Sequence, residues 1–167
     1  NPLFTELGDK LRAKAFALER EGSLLAPKTL WVGTRAEDIP EAILAGDVIV
    51  KANHGSGWNF VIRGGEYERD ALIRQTRKWM GRVYGRRRAQ WGYYGIAPKL
   101  LVEELLVQGG PPQSGPPLGG SPLGGQPLVS DYKVYAGGGE VAFVFVRQRS
   151  ADGTILEAVL DEEGRAY

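Results

Sequence analysis

The stretch DVIVKANHGSGWNF, residues 47–60, decides the fold of this chain. It begins with an apolar, β-branched run at residues 48–50 and continues through Lys51 into a short polar loop. The loop contains the only histidine of the chain, His54. An apolar run at residues 60–63 follows, and it can pair back on the first run. The stretch therefore predicts a strand, a loop and a second strand.

The loop of this hairpin is suited to an anionic ligand. Gly55 and Gly57 allow the backbone to approach a ligand closely, and Lys51 adds a positive charge where the first strand ends. Backbone N–H groups in such a loop bind phosphate well. An ordinary hairpin turn has the same pattern, so both interpretations stay open from these residues alone.

The composition indicates a soluble globular protein. The chain has 167 residues, 43% of them hydrophobic and 25% charged, which suits one domain or two small lobes. Its net charge of +1 provides no overall field for nucleic acid. It has no cysteine and no apolar run of about 18 residues, so we expect a cytoplasmic protein without membrane insertion. Because it begins at Asn1 without methionine, we also expect a fragment of a longer protein.

Periodicity predicts the other helices and strands. An apolar face predicts a helix that Asp9 caps and Gly22 ends. A second, amphipathic helix is predicted over residues 67–84, with an apolar stripe of Leu72, Thr76, Trp79, Met80 and Val83. A short helix is expected at residues 38–45, and strands at residues 28–33, 98–106, 131–136, 140–147 and 154–160.

The solvent side of the second helix is basic and runs on into Arg86, Arg87 and Arg88. Aromatic residues such as Trp91 lie between these charges, and this mixture can bind nucleic acid or another polyanion. A solvated helix face followed by a loop explains most such runs. Nucleic acid is therefore disfavoured as a partner.

Two further features limit the chemistry. In an alternating strand Glu103 and Glu104 point to opposite faces, so one of them is buried or faces a pocket, unless both lie at a strand edge. Residues 109–130 are mostly glycine, proline and serine, and we expect a flexible insertion there. The single histidine and absent cysteines disfavour a serine hydrolase and a zinc site.

What remains is a series of lysines and carboxylates on separate predicted elements. Lys10 opens a helix, Lys51 ends a strand, and Lys133 lies on a later strand. Cationic groups from separate elements that meet around one anion, with carboxylates nearby, are what nucleotide binding requires.

Four segments of the chain, NPLFTELGDKLRAKAF, VIVKANHGSG, WGYYGIAPKLLVEELL and DYKVYAGGGEVAFVFV, carry a resemblance to a known family. The chain resembles the ATP-grasp superfamily, and most closely the TupA-like ATP-grasp proteins of teichuronopeptide and other cell-surface polysaccharide biosynthesis. The resemblance implies an α+β fold of two lobes with antiparallel sheets, flanking helices and a nucleotide cleft between the lobes. The N-terminal lobe would span residues 1–98, and residues 99–167 would be the start of the C-terminal lobe.

The resemblance also implies the binding site. Lys10 and Lys51 would reach the phosphates of ATP. The other implied site residues are the phosphate loop of Asn53, His54, Gly55, Ser56 and Gly57, the adenine-binding hinge of Glu103, Glu104 and Leu106, and the cleft residue Lys133.

The implied activity is a carboxylate–amine ligase that works through an acylphosphate, with ATP and Mg²⁺. The carboxylate would belong to an anionic sugar-acid or amino-acid polymer. No residue of this chain matches the family's later magnesium ligands, so the resemblance assigns none. The alternative is a non-catalytic nucleotide- or polyanion-binding module that is truncated before the metal site.

Overall fold

The computed structural model describes residues 2–23, 26–106, 130–149 and 154–167. It divides the chain into two compact units, Asn1–Leu106 and Val107–Tyr167. Together they form a small α+β protein with antiparallel sheets and few helices. The sequence prediction divided the chain after residue 98, whereas the strand at Leu100–Glu104 pairs within the sheet of the first unit.

In its described residues, the first unit combines four α-helices with a four-stranded sheet. Single turns of 3-10 helix occur at Ala36–Asp38, Arg86–Arg88 and Trp91–Tyr93. In chain order the main elements are α1 (Pro2–Gly8), α2 (Lys10–Arg20), β1 (Thr29–Gly33), α3 (Glu41–Leu44), β2 (Val48–Ala52), β3 (Asn59–Ile62), α4 (Arg69–Met80) and β4 (Leu100–Glu104).

The sheet is fully antiparallel and has the order β1-β4-β2-β3. The predicted hairpin is confirmed: Val50 of β2 lies opposite Phe60 of β3. On its other side, Val50 lies opposite Val102 of β4. β4 therefore separates β1 from β2, although it follows both in the chain.

One face of the sheet forms the core of the first unit. Alternation along β2 places Val48, Val50 and Ala52 on this face, where all three are buried. Leu72 and Trp79 of α4 are buried in the same core. The predicted stripe of α4 is therefore confirmed at these positions and at Thr76, and Met80 is partly buried.

The prediction was wrong for the end of α4. The helix stops at Met80 with Gly81 as its C-cap, so Val83 lies beyond it and is 45% exposed.

The helix α2 begins as predicted, because Asp9 Oδ1 accepts a hydrogen bond from the Leu11 N–H at 2.9 Å. The preceding residues form a separate helix, α1.

The second unit is a three-stranded meander of β5 (Ser130–Gly137), β6 (Glu140–Arg149) and β7 (Ile155–Leu160). Gly138 and Gly139 make the first turn with φ of 65° and 91°, which suits glycine. All three predicted strands are confirmed. The Gly/Pro-rich segment at residues 109–130 lies outside the described residues, except for Ser130 in β5. In the described ranges, no helix has the length and apolarity that a membrane crossing requires.

A lysine cluster and glycine loop at the end of β2

The second face of the sheet carries charged residues. Lys51 alternates with the buried positions of β2 and therefore points away from the core face. In the register of β2 with β4, Ile49 lies opposite Glu103 and Lys51 opposite Leu101. Opposed residues of antiparallel strands point to the same side, so Lys51 and Glu103 share this face.

Glu103 is the centre of an ion-pair network. It is only 5% exposed, and each of its carboxylate oxygens accepts a hydrogen bond from a lysine. Oε1 lies 2.8 Å from the Nζ of Lys14, and Oε2 lies 2.8 Å from the Nζ of Lys51. Burial works against ionisation of this carboxyl, but the two lysines outweigh it and hold the pKa of Glu103 below its ordinary value.

Lys14 ties α2 to the sheet. Besides Glu103, its ammonium donates to Thr29 Oγ1 at 2.8 Å and to the Pro27 carbonyl. Sequence reasoning missed this residue, since a lysine on a helix is usually solvated. A signal was present, because Lys10 and Lys14 are four residues apart and therefore lie on one face of α2. Two like charges in that arrangement repel each other, so a carboxylate opposite them, such as Glu103, relieves the repulsion.

Lys10 holds the glycine loop. Its ammonium donates to the Ala52 carbonyl at 2.9 Å and to the Gly55 carbonyl, and its backbone N–H donates to the Asn53 carbonyl at 3.1 Å. Burial and the nearby charge of Lys51 lower the pKa of Lys10. An ammonium has three donors, so one remains beyond the two carbonyls.

We refer to Lys10, Lys14, Lys51 and Glu103 as the lysine cluster. It contains three cations and one carboxylate, and Asp9 beside Lys10 supplies a second negative charge. The cluster therefore remains net positive. Its exposed part is small, because Lys14 and Lys51 keep only 20% and 24% of their side-chain surface.

The loop that follows β2 is anchored by two buried polar residues. Asn53 is fully buried; its Nδ2 donates to the Ala97 carbonyl at 3.1 Å, and its Oδ1 accepts from the Lys99 N–H at 2.7 Å. The ring of His54 lies between the Oδ1 of Asn53 and the Trp79 carbonyl, each 3.1 Å from a ring nitrogen. Burial lowers the pKa of His54. Both residues therefore fix the loop from inside the unit.

The tip of the loop is exposed and has unused donors. Ser56 and Gly57 are exposed, and Gly57 adopts a positive φ of 71°. Gly55, by contrast, is buried against the ring of Trp58, so that a Cβ on this residue would lie only 2.6 Å from the ring. Within the described part of the chain, the backbone N–H groups of Gly55, Ser56 and Gly57 donate no hydrogen bond. Unused N–H groups beside cations are the elements of an anion site.

Two other predicted site residues of the first unit, Glu104 and Leu106, lie outside this cluster. Glu104 is exposed and accepts from the Lys28 N–H at 2.8 Å, and Leu106 is 64% exposed. Lys133 belongs to the second unit, where its ammonium lies 3.3 Å from Asp131 Oδ2 and 5.5 Å from the centre of the Phe145 ring. The predicted burial of one of the two adjacent glutamates is confirmed, with Glu103 inside and Glu104 outside.

The described residues offer no set of side-chain ligands for a metal ion. They contain no group of three or more histidine, aspartate or glutamate side chains placed to hold an ion. Both oxygens of Glu103 are already bound to lysines. The arrangement at the end of β2 thus offers positive charge and N–H donors for an anion.

Comparisons with family models, with curated proteins and with solved structures found no match to this chain.

Proposed function

We propose that this chain binds the phosphates of ATP with the lysine cluster and the loop at residues 53–57, as part of an ATP-grasp protein of the TupA-like type. One observation carries the proposal. Lys10 of α2 and Lys51 of β2 converge where β2 runs into a glycine loop whose N–H groups donate no hydrogen bond within the described residues.

The surroundings of Lys51 support a nucleotide more than an isolated anion. Val61 lies opposite Ile49 and is therefore the diagonal neighbour of Lys51 on the same face of the sheet. It is 45% exposed. An exposed apolar side chain next to a cation suits a flat base attached to phosphates.

The proposed reaction is ligation of a carboxylate to an amine. ATP phosphorylates the carboxylate, and the amine then displaces phosphate from the acylphosphate. In this scheme Lys51 acts as an electrostatic clamp on the phosphates, and the loop N–H groups bind their oxygens. The described residues do not provide a donor set for Mg²⁺, so the scheme assigns no step to a metal.

The proposal includes a two-lobed ATP-grasp architecture, a cytoplasmic location, and a carboxylate on an anionic sugar-acid or amino-acid polymer. The antiparallel α+β units and the absence of cysteine support the first two. A non-catalytic nucleotide-binding module is the second candidate. It is favoured by the lack of a metal-binding group in the described ranges.

Thermal unfolding with and without Mg-ATP tests the nucleotide site. ATP at millimolar concentration should raise the Tm of the parent protein, because a ligand that binds only the folded state stabilises it. Lys51→Met should abolish the rise, since it removes the clamp but keeps an apolar chain of similar length. Lys78→Met is the matched control, because Lys78 is exposed on α4. A parent Tm that ATP leaves unchanged would contradict the proposal.

Release of phosphate separates the two candidates. A ligase should release phosphate from ATP only when both a carboxylate and an amine substrate are present. A binding module should show the Tm rise without any phosphate release. Lys51→Met should lose both signals in the first case and only the Tm rise in the second.

A further inference from the structure

A cleft of about 880 Å³ opens beside the glycine loop of the first unit. It begins at Trp58, directly after the loop, and extends along the segment that follows α4. Its charged and ring-bearing lining consists of Trp58, Arg82, Tyr84, Arg86 and Arg87, with Gln90 at the same wall. Among the residues that the structure describes, no acidic side chain lines it. We refer to it as the arginine cleft.

The arginines of this cleft have no counter-ion in the described residues. Arg82, Arg86 and Arg87 are exposed, and none of them forms an ion pair there. Elsewhere in the same unit, Arg69 pairs with Glu41 and Arg77 pairs with Glu37. Three unpaired guanidinium groups around one cavity make it a local site of positive charge in a chain whose net charge is only +1.

The turn that carries two of these arginines is held in a defined shape. Gly85 has a φ of 77°, and its carbonyl accepts from the Gln90 N–H at 3.1 Å. Ala89 has a φ of 49° and is the only described non-glycine residue with a positive φ. The backbone of the turn thus fixes the positions of the Cα atoms of Arg86 and Arg87. Because this backbone is already ordered, less conformational entropy is lost when an anion binds to the two arginines.

The rings of the cleft are already engaged. Trp58 contacts both His54 and Tyr84 edge-on, with centroid distances of 5.2 Å each, and Tyr84 contacts Tyr93 at 4.8 Å. Each of the two lining rings therefore has two ring neighbours. Nucleobases need open ring faces for stacking, and the edge contacts of Trp58 and Tyr84 with other rings reduce the faces that they can offer.

We propose that the arginine cleft binds a short oligomer with a carboxylate on each unit, and that it is a separate site from the lysine cluster. Guanidinium groups pair with carboxylates in a bidentate manner, and the volume holds a ligand of a few units. The choice of carboxylate, and the role of the cleft as the acceptor site, rest on the proposed ligase function. The binding of an oligoanion rests on the cleft alone.

Binding of tetraglutamate and of tetragalacturonate, followed by calorimetry, tests this site and distinguishes a peptide from a sugar source. The cleft variant is R82Q/R86Q/R87Q. The control variant, R63Q/R74Q/K78Q, removes the same number of charges from exposed positions outside the cleft. The parent and the control should bind at least one oligomer, and the cleft variant should bind it roughly tenfold more weakly or worse. Added salt should weaken the parent complex.

The response to ATP shows whether the two sites are separate. The cleft variant should keep the Tm rise with Mg-ATP, and Lys51→Met should keep oligomer binding. Loss of the ATP response in the cleft variant would overturn the proposal by making the cleft part of the nucleotide site. If the parent lacks an ATP response but binds the oligomer through the arginines, the nucleotide proposal fails and oligoanion binding stands.

Three further results would overturn the proposal. The first is a parent that binds neither oligomer. The second is a cleft variant that binds as tightly as the control variant. The third is tetrathymidylate that binds more tightly than both oligomers and depends on the same arginines, which would make the cleft a nucleic-acid site.

Discussion

Glu103 shows how far a single residue could be predicted from the sequence. Alternation along a strand indicated that Glu103 and Glu104 face opposite sides, and this is confirmed. The sequence could not tell which of them is buried, because that depends on the register of β4 with β2. It also missed Lys14, whose partners Thr29 and Glu103 are distant in the chain.

Removing the charge of Glu103 should destabilise the protein. Glu103→Gln leaves Lys14 and Lys51 without their shared carboxylate, and we expect a loss of about 2 kcal/mol in the free energy of unfolding. This loss is smaller than that for a fully buried ion pair, because water reaches part of the Lys14 and Lys51 side chains. Adding Lys51→Met should recover part of the loss, since it removes one of the unpaired cations. Urea denaturation measures both effects.

Glu104→Gln is the control for this comparison. Its side chain is exposed, and the amide oxygen can still accept from the Lys28 N–H. We expect a change within about 0.5 kcal/mol. Equal effects of the two substitutions would show that the network around Glu103 contributes nothing to stability.

At the level of elements, local patterns predicted most of the helices and strands. The β2–β3 hairpin, α2 and α4 each carry their signal within a short stretch of sequence. The sheet order could not be predicted, because β4 enters between β1 and β2 from far along the chain. The need for a glycine at Gly55 could not be predicted either, because it depends on how the rings of Trp58 and of Tyr84, which lies beyond α4, pack against it.

Alanine substitutions at three glycines should distinguish close packing from a positive φ as the reason for a glycine. Gly55→Ala places a Cβ 2.6 Å from the Trp58 ring and 3.0 Å from Tyr84, so overpacking should cost roughly 2 kcal/mol. Gly57→Ala meets no neighbouring atom, but its positive φ should cost about 1 kcal/mol. Gly46→Ala has neither problem and should be nearly neutral. Urea unfolding measures the order, and equal losses at Gly55 and Gly46 would refute the packing role.

At the level of the whole molecule, the positive and negative charges nearly balance, with 21 basic and 20 acidic residues. The composition gives only this overall balance and could not show where charge concentrates. Folding brings lysines of α2 and β2 together, and it places three arginines around one cleft. The arginines were visible as a local run in the sequence, whereas the meeting of Lys14 and Lys51 at Glu103 arises from contacts between distant segments.

Stability should fall in two stages as the solution is acidified. Burial lowers the pKa of His54 in the folded protein, so below about 6.5 the unfolded chain binds more protons and unfolding is favoured. Glu103 has a folded pKa below 4.5, so its stabilisation is lost only as the pH falls further, through that lower value. Urea unfolding on either side of these values measures both stages. His54→Gln should flatten the first stage and Glu103→Gln the second.

The two stages are assigned by the variants and not by the parent curve alone. If His54→Gln left the slope near 6.5 unchanged, the first stage would belong to another group. If Glu103→Gln left the acid limb unchanged, the carboxylate would not be stabilised by its lysines. The Lys78→Met variant should reproduce the parent curve, because its side chain is exposed.

If the proposed site binds phosphate, the double pairing of Glu103 would couple anion uptake to proton uptake. A phosphate that attracts the ammonium of Lys51 leaves Glu103 with Lys14 as its only cationic neighbour of the original pair. The carboxyl then loses one of the two donors that keep it ionised, and its proton affinity rises. Linkage requires the reverse effect as well, so protonation of Glu103 would strengthen anion binding as the pH falls toward the lowered pKa of this carboxyl. In the proposed site, the buried carboxylate would thus compete with the anion for Lys51 until acid neutralises it.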